Sequence, residues 1–402
     1  MSAKVRDMAE KNDENSASRV LMAYSFFNRA LMNINMNYSG VYAAEVIGLN
    51  PNEFGIIGAI STIITQATQP LWGYLSDLKG VRKYFTALGE VLSGLMIALT
   101  FTLKTYPQYL ITLIILWSFW SGAYTCWQAL IGDMTIKSGR GKTIGTIELI
   151  GGLGSIISGI MVGPLMDLYG YTSTIIISVI FTIFAVIPIL MIHEKRDSEN
   201  LERDVKKPLK RNMTKEYRRF LIMSIIWWGV MSVSWPLFSI TQVRIYNLTK
   251  TEIAILSVLG SIGQMAMMPI WGNLADRIGR RNLLVMACAS TSIWSLAYAI
   301  SQNYVQLLIL NTIGSIFGSA INIIPGIYLL DTIPDRENRA TLIAIYNTST
   351  GVSQALGQYM GGEIASWVGL REAMMLSFLS RLIFSIPILL LPETLSKRLK
   401  ED

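Results

Sequence analysis

The sequence predicts an all-α membrane protein whose twelve transmembrane helices form two homologous bundles of six. Three observations predict this fold class. Hydrophobic residues make up 51% of the 402 residues and charged residues only 15%. The charges are clustered, so that long apolar segments separate them. The pattern also repeats after 199 positions. A soluble chain of this length would instead be expected to form about two or three domains.

Twelve apolar segments are long enough to span a membrane, because a helix needs roughly 20 apolar residues to cross the hydrocarbon core. Within lipid the backbone must satisfy its own hydrogen bonds, so each span is expected to be a helix. The predicted spans cover about residues 20–44, 54–76, 84–103, 108–131, 143–166, 172–193, 220–243, 252–275, 283–302, 305–330, 340–364 and 371–391.

The basic residues predict how these spans are oriented. One side of the membrane would collect 28 of the 34 Lys and Arg residues, and the positive-inside rule makes it the cytoplasmic side. Both termini are therefore expected in the cytoplasm, and the chain in the plasma membrane. The net charge of +7 then reflects topology, and no nucleic-acid partner is expected. The other basic residues are Lys104, Arg244, Lys250 and Arg371 on the opposite side, with Arg29 and Arg381 inside spans.

The sequence predicts neither a cleaved targeting segment nor a disulfide or metal site. The first nineteen residues are polar and contain no apolar region with a cleavage site, so no cleaved signal peptide is expected. Cys126 and Cys288 both lie in or near apolar spans, which predicts neither a disulfide framework nor a metal site. No cofactor is predicted.

The two halves of the chain repeat in one register. Nine residues from Leu49 to Arg82 match those 199 positions later without a gap, including Trp72 with Trp271. Such a repeat predicts two homologous units. The expected organisation is a cytoplasmic tail over 1–19, a first bundle over 20–193, a charged linker over 194–219, a second bundle over 220–391 and a cytoplasmic tail over 392–402.

Each half carries a short charged loop between its second and third spans, GYLSDLKGVRK from Gly73 and GNLADRIGRRN from Gly272. Glycine permits close helix approach and a tight reversal, and an aspartate at a helix end can pair with arginine or with a helix N-terminus. Contacts that form in one conformation and break in another would make a cytoplasmic gate. The alternative is charge that only fixes topology. The predicted gating residues are Gly73, Asp77, Gly80, Arg82, Lys83, Asp133, Arg140, Gly272, Asp276, Arg277, Gly279, Arg280, Arg281, Asp331 and Arg339.

Both loops resemble the signature G-x-L-x-D-R-x-G-R-[RK] of the major facilitator superfamily (MFS). The second copy fits in full, and the first departs at Leu78 and Val81. Length, number of spans, central linker and repeat agree, so the resemblance covers essentially the whole chain. It implies the MFS fold, with a solute bound near the membrane midplane between two parallel halves and spans 1, 4, 7 and 10 lining the cavity.

Motifs of individual branches of the superfamily fit only in part. The exporter signature of span 5, G-x-x-x-G-P-x-x-G-G, is matched up to Pro164, but Asp167 and Leu168 replace its glycine pair. The arginine of span 4 that is tied to proton coupling in many drug exporters is missing, with Ser118 near its place. The segment from Pro392 to Thr394 is similar to the tail of sugar porters.

Span 1 places Arg29, Asn33 and Asn37 on one helix face. Arg29 lies about ten residues beyond Arg19, roughly 15 Å along the helix. Because a lipid-facing arginine would be costly, it is expected to face the cavity or a carboxylate. The aromatic residues of span 4 could line the cavity or serve packing, and both remain open. The predicted solute-binding residues are Arg29, Asn33, Asn37, Trp120, Tyr124, Gln128, Trp228, Trp235, Asn311, Asn322, Asn347 and Gln354.

Two intramembrane carboxylates, Glu90 and Glu148, are candidates for proton coupling. Burial disfavours the charged form of a carboxyl group and a nearby cation favours it, so such groups can exchange protons. The alternative is a structural partner for Arg29 or Arg381. The sequence assigns no role to Arg381 itself.

Together these features predict a secondary active transporter of a small polar or amphiphilic solute, either an organic anion or a sugar-like molecule. Alternating access and proton coupling are expected, with the solute, membrane lipid and protons as partners. No enzyme is predicted, because no set of nucleophile, base and acid stands out. Multidrug or metabolite efflux is the alternative within transport, and a non-transporting membrane receptor is the alternative outside it.

Overall fold

The computed structural model describes residues 3–134, 140–192, 213–275, 277–333 and 339–394 and, apart from 3–17, 140–142 and 340, their side chains. Within these ranges every regular element is a helix. The first half holds α1 (Ala3–Ile34), α2 (Pro51–Lys79), α3 (Arg82–Thr100), α4 (Tyr106–Met134), α5 (Arg140–Tyr169) and α6 (Tyr171–Met191). The second half holds α7 (Lys215–Arg244), α8 (Lys250–Ala275), α9 (Arg280–Ile300), α10 (Tyr304–Thr332), α11 (Arg339–Val368) and α12 (Leu370–Leu390).

Each predicted span corresponds to one of these helices. Eight helices in the described ranges, α4 to α10 and α12, are long and apolar enough to cross a membrane by length and composition alone. The other four carry more polar side chains, among them Asn33 in α1, Gln66 in α2, Glu90 in α3 and Gln354 in α11. Intramembrane polar groups are not confined to these four helices, since Glu148 lies in α5 and Arg381 in α12.

Several helices are interrupted inside the apolar region. α1 continues beyond Ile34 through two π-helical turns, Asn35–Ser39 and Ala43–Ile47. α7 is broken by a turn that ends at Pro236, which has no amide hydrogen to donate. α9 has a junction at Thr291, and α10 contains a 3-10 turn over Ser319–Asn322. Such breaks free backbone groups that other residues must satisfy.

The chain divides into two compact units that differ slightly from the two halves of the sequence. The first unit contains residues 1–42, 64–207 and 249–254, and the second contains 43–63, 208–248 and 255–402. The beginning of α2 therefore belongs to the second unit, and the first turn of α8 belongs to the first.

The two charged loops reverse the chain in very few residues. Gly80 and Gly279 adopt positive φ angles of 58° and 92°, a backbone region that favours glycine. Each glycine comes shortly before the first residue of the next helix, Arg82 in α3 or Arg280 in α9. The reversal expected from the sequence is thus present in both loops.

Aromatic residues fill the core of each unit. In the first unit Tyr24 packs on Trp127, with ring centroids 4.3 Å apart, and both rings are buried. In the second unit Phe220 stacks on Tyr346 at 5.6 Å beside the buried Trp227. Trp127 and Trp227 are therefore packing residues.

Candidate functional site

Arg29 and Glu148 form an ion pair between α1 and α5. The Nη2 atom of Arg29 lies 2.5 Å from Oε2 of Glu148, and the two side chains are 46% and 44% exposed. Two charged side chains exposed to this degree inside membrane spans would be costly in contact with lipid. The surface that the Arg29 and Glu148 side chains form is therefore expected to be in contact with water. The cation predicted for the binding cavity carries its own counter-ion.

Small residues join α1 to α5 around this pair. A side chain on Gly154 would place its Cβ 2.2 Å from the carbonyl oxygen of Phe26, so the two backbones are in direct contact. Ser155 donates to the carbonyl of Arg29 at 3.2 Å, and Ser158 donates to that of Ala30 at 2.9 Å. These contacts fix the depth of Arg29 relative to Glu148.

Glu90 of α3 is fully buried. Its Oε2 accepts hydrogen bonds from the Tyr24 hydroxyl at 2.9 Å and from the Asn28 amide at 2.7 Å. Its Oε1 is buried without a hydrogen-bond partner among the described residues. The two carboxylates thus bind adjacent residues of α1, Asn28 and Arg29. Glu148, rather than Glu90, is the partner of Arg29.

The other predicted polar residues of α1 lie at the start of its π-helical region. The Asn37 amide donates to the Asn33 carbonyl at 3.0 Å. The side-chain oxygens of Asn33 and Asn35 are buried without a partner in the described part of the chain. Buried acceptors without donors are uncommon and need an explanation, such as a water or a ligand.

Aromatic residues of α4 form a short ladder. Trp117 meets Trp120 edge to face with centroids 5.2 Å apart, and Trp120 stacks on Tyr124 at 5.3 Å. Tyr124 and Gln128 are exposed. These residues provide an accessible aromatic surface, whereas Trp127 faces the core.

The predicted solute-binding residues of the second half lie in the second unit. Trp228 donates from Nε1 to the Tyr346 hydroxyl at 3.1 Å, and its ring lies 6.3 Å from that of Trp235. Asn311 and Gln354 are half-buried, and Asn322 and Asn347 are exposed. A cavity of about 20 Å³ borders Trp228. That volume holds about one water molecule and no larger solute.

Arg82 is the centre of the first charged loop. It bonds to Asp77 at 2.9 Å at the end of α2, and it also forms an ion pair with Asp133 at the end of α4. Lys83 donates to the carbonyl of Ile192 at 2.9 Å, beyond the end of α6. Gly73 has only Thr125 near the position of a Cβ, at 3.6 Å, so close approach does not require a glycine there.

The second loop uses a different arginine. Arg280, which is buried, forms an ion pair with Asp331 of α10. Arg277 is exposed, and Gly272 has open space where a side chain would stand. Asp276 and the side chain of Arg140 lie outside the described residues. Arg339 is the first residue of α11, and Asp331 is bonded to Arg280.

Glu393, in the short segment after α12, had no predicted role. Its carboxylate accepts from the backbone amides of Arg280 at 2.8 Å and Arg281 at 3.2 Å, so it caps α9. Thr394 donates to Asp331 at 2.9 Å. The similarity of Pro392 to Thr394 to another transporter tail was the one signal in the sequence that pointed to this segment.

Asp167, where the exporter signature has glycine, caps α8. Its carboxylate accepts from the backbone amides of Lys250 at 3.0 Å and Thr251 at 2.8 Å and from the Thr251 hydroxyl at 2.6 Å. Gly163 lies one turn earlier, and a Cβ there would be 2.7 Å from the Ala254 side chain. The end of α5 and the start of α8 are therefore locked together within the first unit.

A second close helix pair lies in the second unit. The backbones of Gly55 in α2 and Gly362 in α11 touch, since a Cβ on Gly55 would lie 2.9 Å from the Cα of Gly362. The side-chain amide of Asn52 donates to Glu363, the residue that follows Gly362. Glu363, which lies within the predicted span 340–364, is thus bonded to a neighbouring helix.

Comparison with known proteins identifies the family. The sequence matches the family model described as Major Facilitator Superfamily over residues 21–234 and 220–402. The uncharacterised MFS-type transporter YuxJ of Bacillus subtilis is 23% identical over 325 residues, which cover 78% of this chain and 81% of YuxJ. The multidrug resistance protein MdtG of Escherichia coli is 25% identical over 338 residues, or 80% of each chain.

The crystal structure of the nucleoside transporter NupG has the same fold. It superposes with a TM-score of 0.74 over 93% of this chain and 98% of NupG. At 12% sequence identity this likeness concerns the fold alone. The predicted fold class and the predicted membership are both confirmed.

Proposed function

Because the chain belongs to the major facilitator superfamily and is an integral membrane transporter, we propose that it moves a small amphiphilic solute with an anionic group. Transport would be coupled to protons and would proceed by alternating access, with both termini in the cytoplasm. The observation that carries the proposal is the half-exposed ion pair between Arg29 and Glu148.

The pair can exchange its partners. An anionic group can take the place of Glu148 beside Arg29, and a proton on Glu148 removes the competing charge. Binding of the anion and binding of the proton then favour each other, which is the coupling that a symporter needs. The contacts from Ser155 and Ser158 support this role, since they keep α1 in place when the pair opens.

The other predicted binding residues of the first unit favour a solute that is partly apolar. The ladder of Trp117, Trp120 and Tyr124 in α4 offers aromatic faces, and the exposed side chain of Gln128 in the same helix offers hydrogen-bonding groups. Sites for small molecules commonly combine an apolar wall with a few polar groups that fix orientation.

A second candidate is efflux of cationic amphiphiles in exchange for protons. The name of the relative MdtG favours it, and so do the aromatic rings of α4, because a ring face attracts cations. In this alternative Glu148 is the binding group, and the cation and the proton compete for it.

The test is flux in proteoliposomes with anionic, neutral and cationic amphiphiles, under an imposed pH gradient of either sign. Under the proposal, Arg29→Gln abolishes transport of anions and spares neutral solutes. Glu148→Gln keeps anion transport and removes its dependence on the gradient.

The double variant R29Q/E148Q is the control, because it leaves neither charge unpaired. It should fold as well as the wild type and transport no anions. Loss of cation flux in Glu148→Gln with normal flux in Arg29→Gln would establish the second candidate instead. Binding without flux for every solute would point to a receptor.

A further inference from the structure

Arg381 of α12 is the largest fully buried side chain in the described part of the chain. No carboxylate among the described residues pairs with it. A buried charge costs several kcal/mol unless nearby groups compensate for it. The residues that surround Arg381 must therefore account for its presence.

Its hydrogen-bond partners are located at two helix breaks. Nη2 donates to the carbonyl of Met231 at 2.5 Å and also to the hydroxyl of Ser234, both in α7. Nη1 donates to the carbonyl of Thr291, at the junction within α9, at 2.7 Å.

The geometry of α7 explains why the Met231 carbonyl is free. In an unbroken helix it would accept from the amide of Trp235, four residues later. That amide instead donates to Ser232 at 3.1 Å, because the chain tightens into a turn before Pro236. The guanidinium group supplies the donor that this carbonyl has lost.

Hydroxyl groups extend the contact between the three helices. Ser295 of α9 lies 3.2 Å from both Ser234 of α7 and Ser377 of α12, oxygen to oxygen. All three serines are buried. Arg381 thus lies in a cluster of neutral acceptors that joins α7, α9 and α12.

We propose that Arg381 is a positioning residue that stabilises the break in α7. Its guanidinium group takes over the acceptors that the break exposes, and it thereby fixes Trp228, which precedes the break, and Trp235, which lies within it. The link to solute binding rests on the proposed function. The role in the helix break does not.

The test is a double-variant cycle between Arg381 and Pro236, read as thermal unfolding in detergent. Arg381→Met keeps an unbranched apolar stem in place of the first part of the side chain and removes its donors, so the unfolding midpoint should fall. Pro236→Ala restores a backbone amide and allows α7 to continue as an unbroken helix. The amide of Trp235 can then donate to the carbonyl of Met231. In that background Arg381→Met should lower the midpoint much less.

The matched control is Arg371→Met on the same helix, since Arg371 also donates to a backbone carbonyl, that of Ser301 at 3.3 Å. Its effect should be the same with and without Pro236→Ala. An equal fall for Arg381→Met in both backgrounds, or a rise in the midpoint, would overturn the proposal.

Two further variants keep the test decisive. If Arg381→Met does not fold alone, recovery of folded protein by adding Pro236→Ala supports the proposal, and failure to recover it overturns it. Arg381→Lys keeps the charge without the planar fork and should rescue only part of the fall. Since these readouts require no transport, an error in the proposed solute leaves them interpretable.

Discussion

Replacing Asp167 by alanine should open the contact between α5 and α8. The change removes the three hydrogen bonds that Lys250 and Thr251 donate to the carboxylate. Loss of a helix cap costs about 1 kcal/mol, and loss of a negative charge near a helix N-terminus adds about 0.3–1 kcal/mol. A total of about 1–2 kcal/mol shifts an equilibrium by a factor of about 5–30.

The assay is labelling of a single introduced thiol, Ala254→Cys, by a membrane-impermeant maleimide. Ala254 is 2% exposed and packs at Gly163, so the label reaches it only when the contact opens. The native Cys126 and Cys288 are both buried and should add little background. We expect the labelling rate to rise about 5- to 30-fold in the Asp167→Ala variant, in line with the shift in population.

Glu252→Gln is the matched control. This carboxylate also lies at the start of α8, and it accepts from the amide of Thr249 in its own turn at 2.9 Å. Its loss should change the labelling of Ala254→Cys far less. An equal labelling rate in the two variants, or an unchanged rate in Asp167→Ala, would show that the Asp167 cap does not hold α5 and α8 together.

Three further outcomes are expected. Glu393→Ala removes the cap of α9 and should lower the unfolding midpoint in detergent. Glu393→Gln keeps an accepting oxygen and should lower the midpoint less. Equal falls in the two variants would contradict the role of the cap. Arg82→Gln should reduce solute flux more than Asp77→Asn, because Arg82 binds two carboxylates, and equal fluxes would count against a gate. Gly154→Leu should abolish folded protein in the membrane. Gly145→Leu should be tolerated, because the space around Gly145 is open. A normal yield of both variants would disprove the contact between α1 and α5.

The fold could be predicted because hydropathy, charge bias and the 199-residue repeat are properties of the whole chain. The partner of Arg29 could be predicted as a class but not as a residue. Glu90 and Glu148 both lie in apolar helices, and only the direction in which α3 and α5 face α1 distinguishes them. That direction depends on packing between helices that are far apart in sequence.

The roles of Asp167, Glu393 and Arg381 could not be predicted for a related reason. Asp167 stood out only as a departure from a signature, and its function depends on which helix begins opposite the end of α5. The break at Pro236 is visible in the sequence, but the residue that compensates for it lies 145 positions later in another helix. Residue pairs of this kind can be identified only from the three-dimensional arrangement of the helices.

The ion pairs at the two loops are made by residues that do not correspond in the 199-residue repeat. In the register of the repeat, Arg82 corresponds to Arg281 and Asp133 to Thr332, yet the second pair is made by Arg280 and Asp331. Both partners have moved by one position in the same direction, and each pair is separated by 51 residues. The two halves thus make the same kind of contact with residues that are offset by one position. An alignment of the halves that is scored on identity would therefore pair Arg82 with the wrong arginine.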